Sequence, residues 1–297
     1  MERAYESFTA TVVLTQVMRQ QGDDEESRQF RQALNELRND TVTEQSWKLL
    51  LSRTKMEVGT VEVQRFANAL RIFTTNRVVD EFNYQHLRDL QVPVISIEAR
   101  HTGPRGARDA SYEEAENLHK VVLLCQGAKI MLTQNIWVER GLVNGSRGVV
   151  HDIVWPAEAD VFKELPKALL VKFEGYEGPA LFIDDADGRP VVPIFPVRRD
   201  FERSGVTCSR QQLPVSLSYA ITVHKSQGLT LDCAVLDLSG SEFAAGQTYV
   251  AISRVKKLNG LLFETPFDFE RFTPKRSAVS AMREEDMRRR MGQQILT

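Results

Sequence analysis

The chain has 297 residues, of which 42% are hydrophobic and 26% are charged, and 38 basic residues stand against 40 acidic ones. This composition is ordinary for a globular protein and excludes wholesale disorder. The net charge of −2 excludes a protein that coats nucleic acid by bulk charge, although a local basic groove is compatible with it. The length suggests two domains of roughly 100–200 residues each.

The cysteines and the hydropathy of the chain indicate its surroundings. Cys125, Cys208 and Cys233 are far apart and form no C-x-x-C pair, so the sequence predicts reduced thiols rather than a disulfide framework or a zinc site. Apolar runs stay shorter than the ~18–20 residues that cross a bilayer, and the first residues lack the pattern of a secretory signal. We therefore expect a soluble, intracellular protein with no membrane partner, nuclear or mitochondrial in a eukaryotic cell.

The first 65 residues are predicted to be helical. An acidic run at 23–26 favours a helix N-terminus, and apolar residues recur after it at helical spacing. Those residues are Phe30, Ala33, Leu34 and Leu37. Thr43 is a candidate N-cap for a second, short helix. The apolar residues of that helix are Trp47, Leu50 and Leu51.

From residue 70 the pattern changes to alternating strands and helices. Leu70–Phe73 is a β-rich run, and a polar turn follows it. Apolar residues then recur with helical spacing from Val78 until Pro93 ends the helix, and residues 94–97 form a β-branched strand. Strand, turn, helix and strand in this order predict the parallel sheet of an α/β fold.

The middle of the chain has a different pattern. After a helical stretch predicted around Glu113–Glu116, short apolar runs are separated by Gly, Pro and Asp, which predicts a small β-barrel. The runs are Ala128–Leu132, Gly148–Val154, Ala168–Phe173 and Pro190–Val197. The α/β pattern returns with strands at 219–223, 233–238 and 261–263, a helix near 246–254 and a charged helix over 280–294. The simplest organisation is an α/β domain that is interrupted by a small β domain and preceded by a helical segment.

A polar cluster at Thr222–Gly228 follows the apolar run Leu217–Ile221. It combines hydroxyls, an imidazole, a cation, an amide and a glycine where a strand meets its loop, which is the ligand edge of an open parallel sheet. Such donors suit the phosphate oxygens of a nucleotide or a nucleic acid. An ordinary polar turn with a capping Ser and a Gly explains the same residues, and composition leaves both interpretations open.

Two further clusters each contain an arginine. Gly246–Arg254 has apolar members that would pack against a sheet and leave Arg254 at a helix end. Leu14–Gln20 carries Arg19 beside Gln20 in a mostly apolar run. A lone arginine on a helix is most often a solvated surface charge. Arg254 can instead be an arginine finger, which crosses a domain cleft and stabilises a phosphoryl transition state.

Five segments resemble helicase motifs of the Pif/RecD type, and they occur in family order. The Gly246–Arg254 cluster matches the motif VI pattern Gly-Gln-x-Tyr-Val-Ala-x-Ser-Arg. The chain is therefore similar to the superfamily 1B DNA helicases of the Pif/RecD type over most of residues 5–264. The segments are Leu14–Gln20 (the start of the second motor domain), Phe73–Asn76 with Val79 and Asn83 (motif IV), Gly127–Asn135 with Leu142–Gly148 (the inserted barrel), Ser218–Asp232 (motif V) and Gly246–Arg254 (motif VI).

The resemblance implies an architecture and an activity. Residues 66–124 and 213–297 would form the second RecA-like motor domain, residues 125–212 its inserted Src-homology-3-like barrel, and residues 1–65 a helical connecting segment. Helicases of this type bind ATP between two RecA-like domains and bind single-stranded DNA across both. The chain is thus expected to be the C-terminal part of an ATP-dependent DNA helicase that translocates on single-stranded DNA and unwinds duplex DNA, with single-stranded DNA and DNA junctions as partners.

The family's functional residues carry over to this sequence in three groups. They are Arg254 and Arg19 as catalytic residues that reach the γ-phosphate, Gly228, Gln227 and Gln20 at the nucleotide edge, and Thr75, Asn76, Thr222, His224, Lys225 and Ser226 as DNA contacts. No metal ligand is predicted. Asn76 has an alternative interpretation as the N-cap of the following helix, and His224 as a core histidine. Asn144, Gly145 and Gly148 are predicted to be turn residues of the barrel.

The sequence departs from the family pattern in one respect, because it contains no Walker A loop and no Gly-Lys dipeptide at all. Asp80-Glu81 imitates a Walker B pair but is predicted to lie inside a helix. ATP and Mg²⁺ are therefore expected to be held mainly by an N-terminal motor domain, for example a separately encoded one. Two hypotheses stay open: the C-terminal half of a helicase that works with such a domain, and a catalytically inactive module that binds single-stranded nucleic acid.

Overall fold

The computed structural model describes residues 10–12, 16–184, 186–238, 246–272, 278–290 and 294–296. The chain groups into two compact units. The first unit comprises Met1–Thr74 and Thr222–Thr297, and the second unit comprises Thr75–Ile221. Among the described residues, no helix is long and apolar enough to cross a membrane.

The helices and strands have the following bounds in chain order. The α-helices are α1 (Glu25–Arg38), α2 (Glu44–Leu51), α3 (Thr60–Gln64), α4 (Asn76–Asp89), α5 (Gln247–Ile252) and α6 (Ala278–Arg290). The strands are β1 (Ala10–Val12), β2 (Leu70–Phe73), β3 (Ile95–Glu98), β4 (Arg100–Thr102), β5 (Val121–Leu124), β6 (Lys129–Leu132), β7 (Arg147–Val154), β8 (Ala168–Phe173), β9 (Phe182–Ile183), β10 (Pro190–Ile194), β11 (Val197–Arg203), β12 (Val206–Gln212), β13 (Val215–Leu217), β14 (Ala220–Thr222), β15 (Ala234–Leu236), β16 (Leu261–Phe263) and β17 (Gln294–Leu296).

Parallel strands form the core of the first unit. β15 pairs in parallel with β2 on one side and with β16 on the other, so that Ala234 lies opposite both Leu70 and Leu261. Every residue of β15 and β16 is buried, as expected of strands that are covered on both faces. The parallel α/β arrangement predicted from the sequence is therefore confirmed for these strands.

Each of the first two helices before this sheet begins after a residue whose side chain caps it. The Asp24 carboxylate accepts a hydrogen bond from Ser27 N at 2.9 Å and caps α1. Thr43 Oγ1 accepts a hydrogen bond from Ser46 N at 3.2 Å and caps α2, as predicted. The apolar residues predicted at helical spacing in α1 are all buried, namely Phe30, Ala33, Leu34 and Leu37.

The edge of the sheet at β16 is covered by the segment that follows α2. Thr54 forms a β-bridge with Phe263, and the buried Arg53 donates to Leu261 O at 3.0 Å. Arg53 also pairs with Glu62 at 2.7 Å. An open edge strand is a template for pairing with other chains, so this cover protects the sheet. The same contacts fasten the helical segment to the sheet.

An antiparallel sheet forms the core of the second unit, with the strand order β13-β6-β7-β8-β10-β9. The four short apolar runs predicted as strands correspond to β6, β7, β8 and β10. The longest pairing joins β7 to β8, with an irregularity in register between Val150 and Asp152. A buried apolar cluster packs on this sheet and includes Leu124, Ile130, Leu132, Leu169, Val171 and Ile194. A separate sheet is formed by β11, β12 and β4.

The pairing of the strand after α4 differs from the prediction. β3 pairs with β5 in antiparallel fashion, with Ile97 opposite Val122, instead of joining a parallel sheet. Within β3 only Ile97 is buried, which is typical of an antiparallel strand with one solvated face. The order of strand, helix and strand predicted the elements correctly, but the pairing depends on contacts with residues some 25 positions further along the chain.

Residues 112–117 form turns instead of the helix predicted around Glu113–Glu116. Glu116 and Asn117 have φ angles of 54° and 63°, which a right-handed helix does not accommodate. The guanidinium of Arg210 donates to backbone carbonyls on both sides of these turns, at 2.7 and 2.9 Å. A contact from a distant strand therefore outweighs the helix propensity of the glutamates.

Candidate functional site

The predicted motif V residues form a tight turn at the carboxyl end of β14. A 3₁₀ turn at His224–Ser226 follows the strand. Ser226 is fully buried, and its hydroxyl donates to Val223 O at 2.7 Å. Thr222 is also buried, and its Oγ1 accepts a long hydrogen bond from Lys225 N at 3.4 Å. These two hydroxyls therefore hold the shape of the turn.

The same turn presents other polar groups to solvent. His224, Gln227 and Gly228 are exposed, and Lys225 is half-buried. Gly228 has φ +86°, in the left-handed region that favours glycine. An exposed imidazole, an amide and a cation at the carboxyl end of a strand are placed where open α/β sheets bind their ligands. The core-histidine interpretation of His224 is wrong, because the side chain lies at the surface.

Helix α5 carries the predicted motif VI and packs beside this turn. Gly246, with φ +83°, precedes the helix, and Gln247 and Thr248 at its start are buried. Gln247 Nε2 lies 3.4 Å from His224 Nε2, so a neutral histidine can accept a long hydrogen bond from the amide. Motifs V and VI, which the sequence treats as separate clusters, are therefore in direct contact.

Arg254 lies just beyond the end of α5 and is half-buried. Its Nε donates to Val250 O at 2.7 Å, and its Nη2 donates to Ser253 Oγ at 2.8 Å. Burial lowers the pKa of Arg254, and the nearby positive charge of Arg19 lowers that pKa further. The guanidinium is thus held in one orientation beside a second cation, contrary to the interpretation of a fully solvated surface charge.

Arg19 reaches the same place from the N-terminal part of the chain. Its Nη1 donates to Ser253 O at 2.9 Å, and its Nε donates to Thr230 Oγ1 at 3.0 Å. Within the part of the chain that the structure describes, no carboxylate forms an ion pair with Arg19 or Arg254. Two fixed guanidinium groups without a carboxylate to neutralise them attract a doubly charged oxyanion such as a phosphate strongly.

Gln20 follows Arg19 and is only 8% exposed. Its Nε2 donates to Ser253 O at 3.0 Å and to Val255 O at 2.8 Å. The predicted nucleotide-edge residue therefore uses its amide nitrogen to bind the backbone after α5. Leu14 and Thr15, the first residues of the predicted motif, lie outside the described residues.

A small pocket opens in the first unit at the carboxyl ends of β2 and β15. The sequence analysis assigned no role to Asp237, which directly follows β15 and lies near the end of the predicted strand 233–238, where a polar residue is a candidate ligand. The pocket is lined by Ile72, Thr74, Val223, Leu236, Asp237, Leu238, Gln247, Thr248, Ala251 and Arg271. Gln247 belongs both to this lining and to the contact with His224.

The predicted motif IV residues from Thr75 onward begin the second unit. Thr75 occupies the N-cap position of α4 without a side-chain capping bond, and Asn76 is the first helical residue, so the prediction of Asn76 as N-cap is wrong by one position. Both side chains are exposed. Asn83 is buried, and its Oδ1 accepts hydrogen bonds from Tyr219 N at 3.1 Å and Ala220 N at 2.8 Å. This amide thereby fixes the start of β14, the strand that leads into the motif V turn.

The remaining titratable groups do not form a metal centre in the described residues. No group of three or more His, Cys, Asp or Glu side chains there is arranged to hold a metal ion. Cys125 and Cys208 are buried free thiols and Cys233 is half-buried, as the sequence predicts. Burial raises the pKa of Cys125, so this thiol is less reactive than an exposed one.

Comparison with known proteins adds family evidence to this geometry. A model of the 2B domain of the DNA helicase Pif1 matches residues 116–153. A Xenopus laevis protein named ATP-dependent DNA helicase PIF1 is 33% identical over 252 residues, which are 84% of this chain and 34% of that protein. The human protein of the same name is 36% identical over 193 residues, covering 65% of this chain and 26% of that protein.

Solved structures give the same result for the fold. The crystal structure of Pif1 helicase from Candida albicans has a TM-score of 0.64 and 26% identity, covering 92% of this chain and 60% of that one. The structure of Bacteroides Pif1 bound to single-stranded DNA has a TM-score of 0.58 and 21% identity over 93% of this chain and 57% of that one, and shows the fold alone. The chain spans about a quarter to a third of the length of these curated relatives.

These matches, together with the mixed α/β fold, place the chain in helicase superfamily 1B. Within that class, the chain belongs to the Pif1-type helicases, and it corresponds to their C-terminal portion.

Proposed function

We propose that this chain is the C-terminal part of an ATP-dependent DNA helicase that translocates on single-stranded DNA and unwinds duplex DNA. Residues 66–124 and 213–297 serve as its second RecA-like motor domain, residues 125–212 as the inserted Src-homology-3-like barrel, and residues 1–65 as the helical connecting segment. The relatives at 33% and 36% identity, named as ATP-dependent DNA helicases, support this assignment.

The observation that carries the proposal is the pair of arginines at Ser253. Arg19 and Arg254 each donate to Ser253, and Arg254 is half-buried. In phosphoryl transfer, catalysis comes almost entirely from positioning and from stabilising charge on the transferred group. Two guanidinium groups with donors to spare suit the three equatorial oxygens of a γ-phosphoryl group in transfer.

The rest of the nucleotide site lies on other residues. The 297 residues contain no Gly-Lys dipeptide, so ATP and Mg²⁺ are held mainly by an N-terminal motor domain. On this chain, Gln227 and Gly228 lie at the nucleotide edge, where an exposed amide and a glycine backbone allow close approach. Gln20 is the third residue that the resemblance assigns to this edge, and its buried amide places it behind Arg19.

DNA contacts fall on the exposed polar residues of motifs IV and V. Thr75 and Asn76 in the second unit and His224 in the first are exposed, and Lys225 in the first unit is half-buried. Each of these side chains is accessible to a phosphate of single-stranded DNA. Thr222 and Ser226 are buried, and direct contact through their hydroxyls requires the turn to open. In the closed turn they support the DNA contact by fixing the backbone around His224.

The test is the ATPase activity of this chain, with and without single-stranded DNA, alone and mixed with the N-terminal motor domain of a Pif1-type relative. The proposal predicts no turnover by the chain alone and DNA-stimulated turnover by the mixture. A mixture that is no more active than the N-terminal domain alone contradicts it.

A second candidate function is a catalytically inactive module that binds single-stranded nucleic acid. It is favoured by the missing Gly-Lys dipeptide together with the exposed polar groups of the motif V turn. Phosphate contacts weaken as salt rises, because the cations released from the nucleic acid gain less entropy in a more concentrated salt solution. Salt-sensitive binding without turnover in any mixture supports this candidate, and salt-insensitive or undetectable binding excludes it.

A further inference from the structure

Arg19 and Arg254 must keep a fixed spacing if both are to bind one phosphoryl group, yet 234 positions separate Arg19 from Ser253. The two guanidinium groups meet at a single residue. Ser253 O accepts hydrogen bonds from Arg19 Nη1 at 2.9 Å and from Gln20 Nε2 at 3.0 Å. The hydroxyl of the same residue accepts a hydrogen bond from Arg254 Nη2 at 2.8 Å.

Gln20 reinforces this meeting point from below the surface. Its amide nitrogen also donates to Val255 O at 2.8 Å, so it binds two carbonyls just beyond the end of α5. Carbonyls at a helix end have no partner within the helix and need one from elsewhere. Gln20 and Ser253 are 8% and 3% exposed, which keeps water from competing for these bonds.

The backbone of Gln20 is itself fixed. Arg31, on helix α1, donates through Nη1 to Gln20 O at 3.1 Å. The Arg19–Gln20 segment is therefore held by α1 on one side and by the end of α5 on the other. Movement of either helix would change the position of Arg19 relative to Arg254.

We propose that Gln20 and Ser253 are positioning residues that set the spacing of the two arginines. Gln20 acts through Arg19 and does not contact the nucleotide, because its amide nitrogen already donates to two buried carbonyls. Ser253 orients both cations, one through its carbonyl and one through its hydroxyl. This inference rests on the proposed function, in which both arginines stabilise the transferred phosphoryl group.

The expected signature is a loss of turnover without a loss of ATP affinity. A misplacement of about 1 Å costs about 10²-fold in rate when groups must align in a transition state. Gln20→Leu is therefore expected to lower kcat by about 10²-fold and to leave KM for ATP within about twofold, because the lost alignment matters only in the transition state. Gln20→Glu keeps the size of the side chain but replaces its donor by a carboxylate, which repels the two carbonyl oxygens, and the same loss is expected.

The matched control is Gln212→Leu. Gln212 is also fully buried and donates from Nε2 to a backbone carbonyl, Ile97 O, at 2.9 Å, but it belongs to the second unit. Like Gln20→Leu, this variant removes a buried amide that donates to a backbone carbonyl, but it leaves the contacts of the two arginines unchanged. Ser253→Ala is the milder variant, since it removes one of the two hydrogen bonds of Arg254 and leaves both its bond to Val250 O and the carbonyl that holds Arg19.

The experiment has two readouts on the same set of variants. The first is kcat and KM of the mixture with the N-terminal motor domain. The second is the ¹H–¹⁵N spectrum of the arginine Nε groups in this chain alone, with the signals of Arg19 and Arg254 assigned from their Lys variants. We expect Gln20→Glu and Ser253→Ala to shift these signals, whereas Gln212→Leu leaves them in place.

The outcomes separate this inference from the proposed function. Normal kcat in the Gln20 variants, or unshifted arginine signals, overturns the positioning role while the helicase assignment stands. Shifted signals in a chain that gives no turnover in any mixture support the positioning and refute the helicase assignment. If Gln20→Leu does not fold, Gln20→Glu and Ser253→Ala carry the same test.

Discussion

Arg210 in the second unit and Arg254 in the first are both arginines that burial deprives of water, and burial lowers the pKa of each. Arg210 is fully buried and binds the carbonyls of Ala110 and Leu118 at 2.7 and 2.9 Å. Arg254 is half-buried and lies beside a second cation, Arg19. The positive charge of Arg210 is stabilised by the carbonyls of the loop that it holds. At Arg254, two positive charges lie close together near the surface.

The difference teaches how a buried arginine can be classified from its neighbours. Carbonyl dipoles on several sides of a fully buried guanidinium stabilise a fold, because removing them or the cation leaves unsatisfied polar groups. A second guanidinium nearby destabilises the fold, and we therefore expect such a pair of cations where an anionic ligand binds. Conflicts between stability and local charge are typical of functional sites.

The largest expected effect tests the functional role of Arg254. Arg254→Ala should lower kcat of the mixture with an N-terminal motor domain by about 10³–10⁵-fold, because an arginine finger supplies that much stabilisation of the transition state. Binding of single-stranded DNA should stay nearly unchanged. Turnover equal to that of the unmodified chain would remove Arg254 from the catalytic role.

The next largest effect tests the structural role of Arg210. Arg210→Met leaves the carbonyls of Ala110 and Leu118 without their partner, at a cost of roughly 1–3 kcal/mol for each buried group. Urea denaturation of the chain should show this loss in free energy of unfolding. Arg199→Ala removes an exposed arginine that bonds Gln134 and should change it by less than about 0.5 kcal/mol. Equal stability of the two variants would refute the structural role of Arg210.

A smaller effect concerns the motif V turn of the first unit. Lys225→Ala should weaken binding to single-stranded DNA and reduce the slope of log K against log salt by about 0.7, the value for one phosphate contact on a single strand. Lys163→Ala is the control, because that lysine is highly exposed and lies in the second unit. An unchanged slope in Lys225→Ala would place the phosphate contact elsewhere.

The smallest effect is a pH dependence of the second unit. Hydrogen bonding from Lys172 lowers the pKa of Asp187 from 3.8 to about 2. The folded state therefore holds the charged carboxylate more favourably than the unfolded state does. This contribution to stability is complete above about pH 4 and is lost as pH falls through about 2. Acid titration of unfolding should show a shallower loss in Lys172→Met, and identical titrations would contradict the pairing.

Local features of the fold could be predicted from the sequence. Helix α1 begins within the acidic run predicted to favour a helix N-terminus, and α2 begins at its predicted cap, Thr43, because such signals act between residues a few positions apart. The strand pairing of β3 and the turns at 112–117 were predicted wrongly, since both depend on residues far along the chain. The spacing of hydrophobic residues predicts which helices and strands form, but it does not predict which strands pair with one another.

The residues of the candidate site could also be predicted only in part, because their contacts join distant parts of the chain. Arg19 and Arg254 came from family resemblance, and nothing in their local sequence indicates that they meet. Ser253 was part of a recognised motif, yet its role as the common acceptor depends on a contact across 234 positions. Asp237 was within reach of the sequence, because a polar residue at the carboxyl end of a buried parallel strand is a candidate ligand.

The central claim is that the paired arginines recognise a phosphoryl group in transfer. The most direct measurement is the affinity of the mixture with an N-terminal motor domain for ADP and for ADP with aluminium fluoride, which imitates that group. We predict that Arg19→Ala and Arg254→Ala each lose most of the affinity for the aluminium fluoride complex and keep the affinity for ADP. Unchanged affinity for both ligands in the two variants would contradict the central claim.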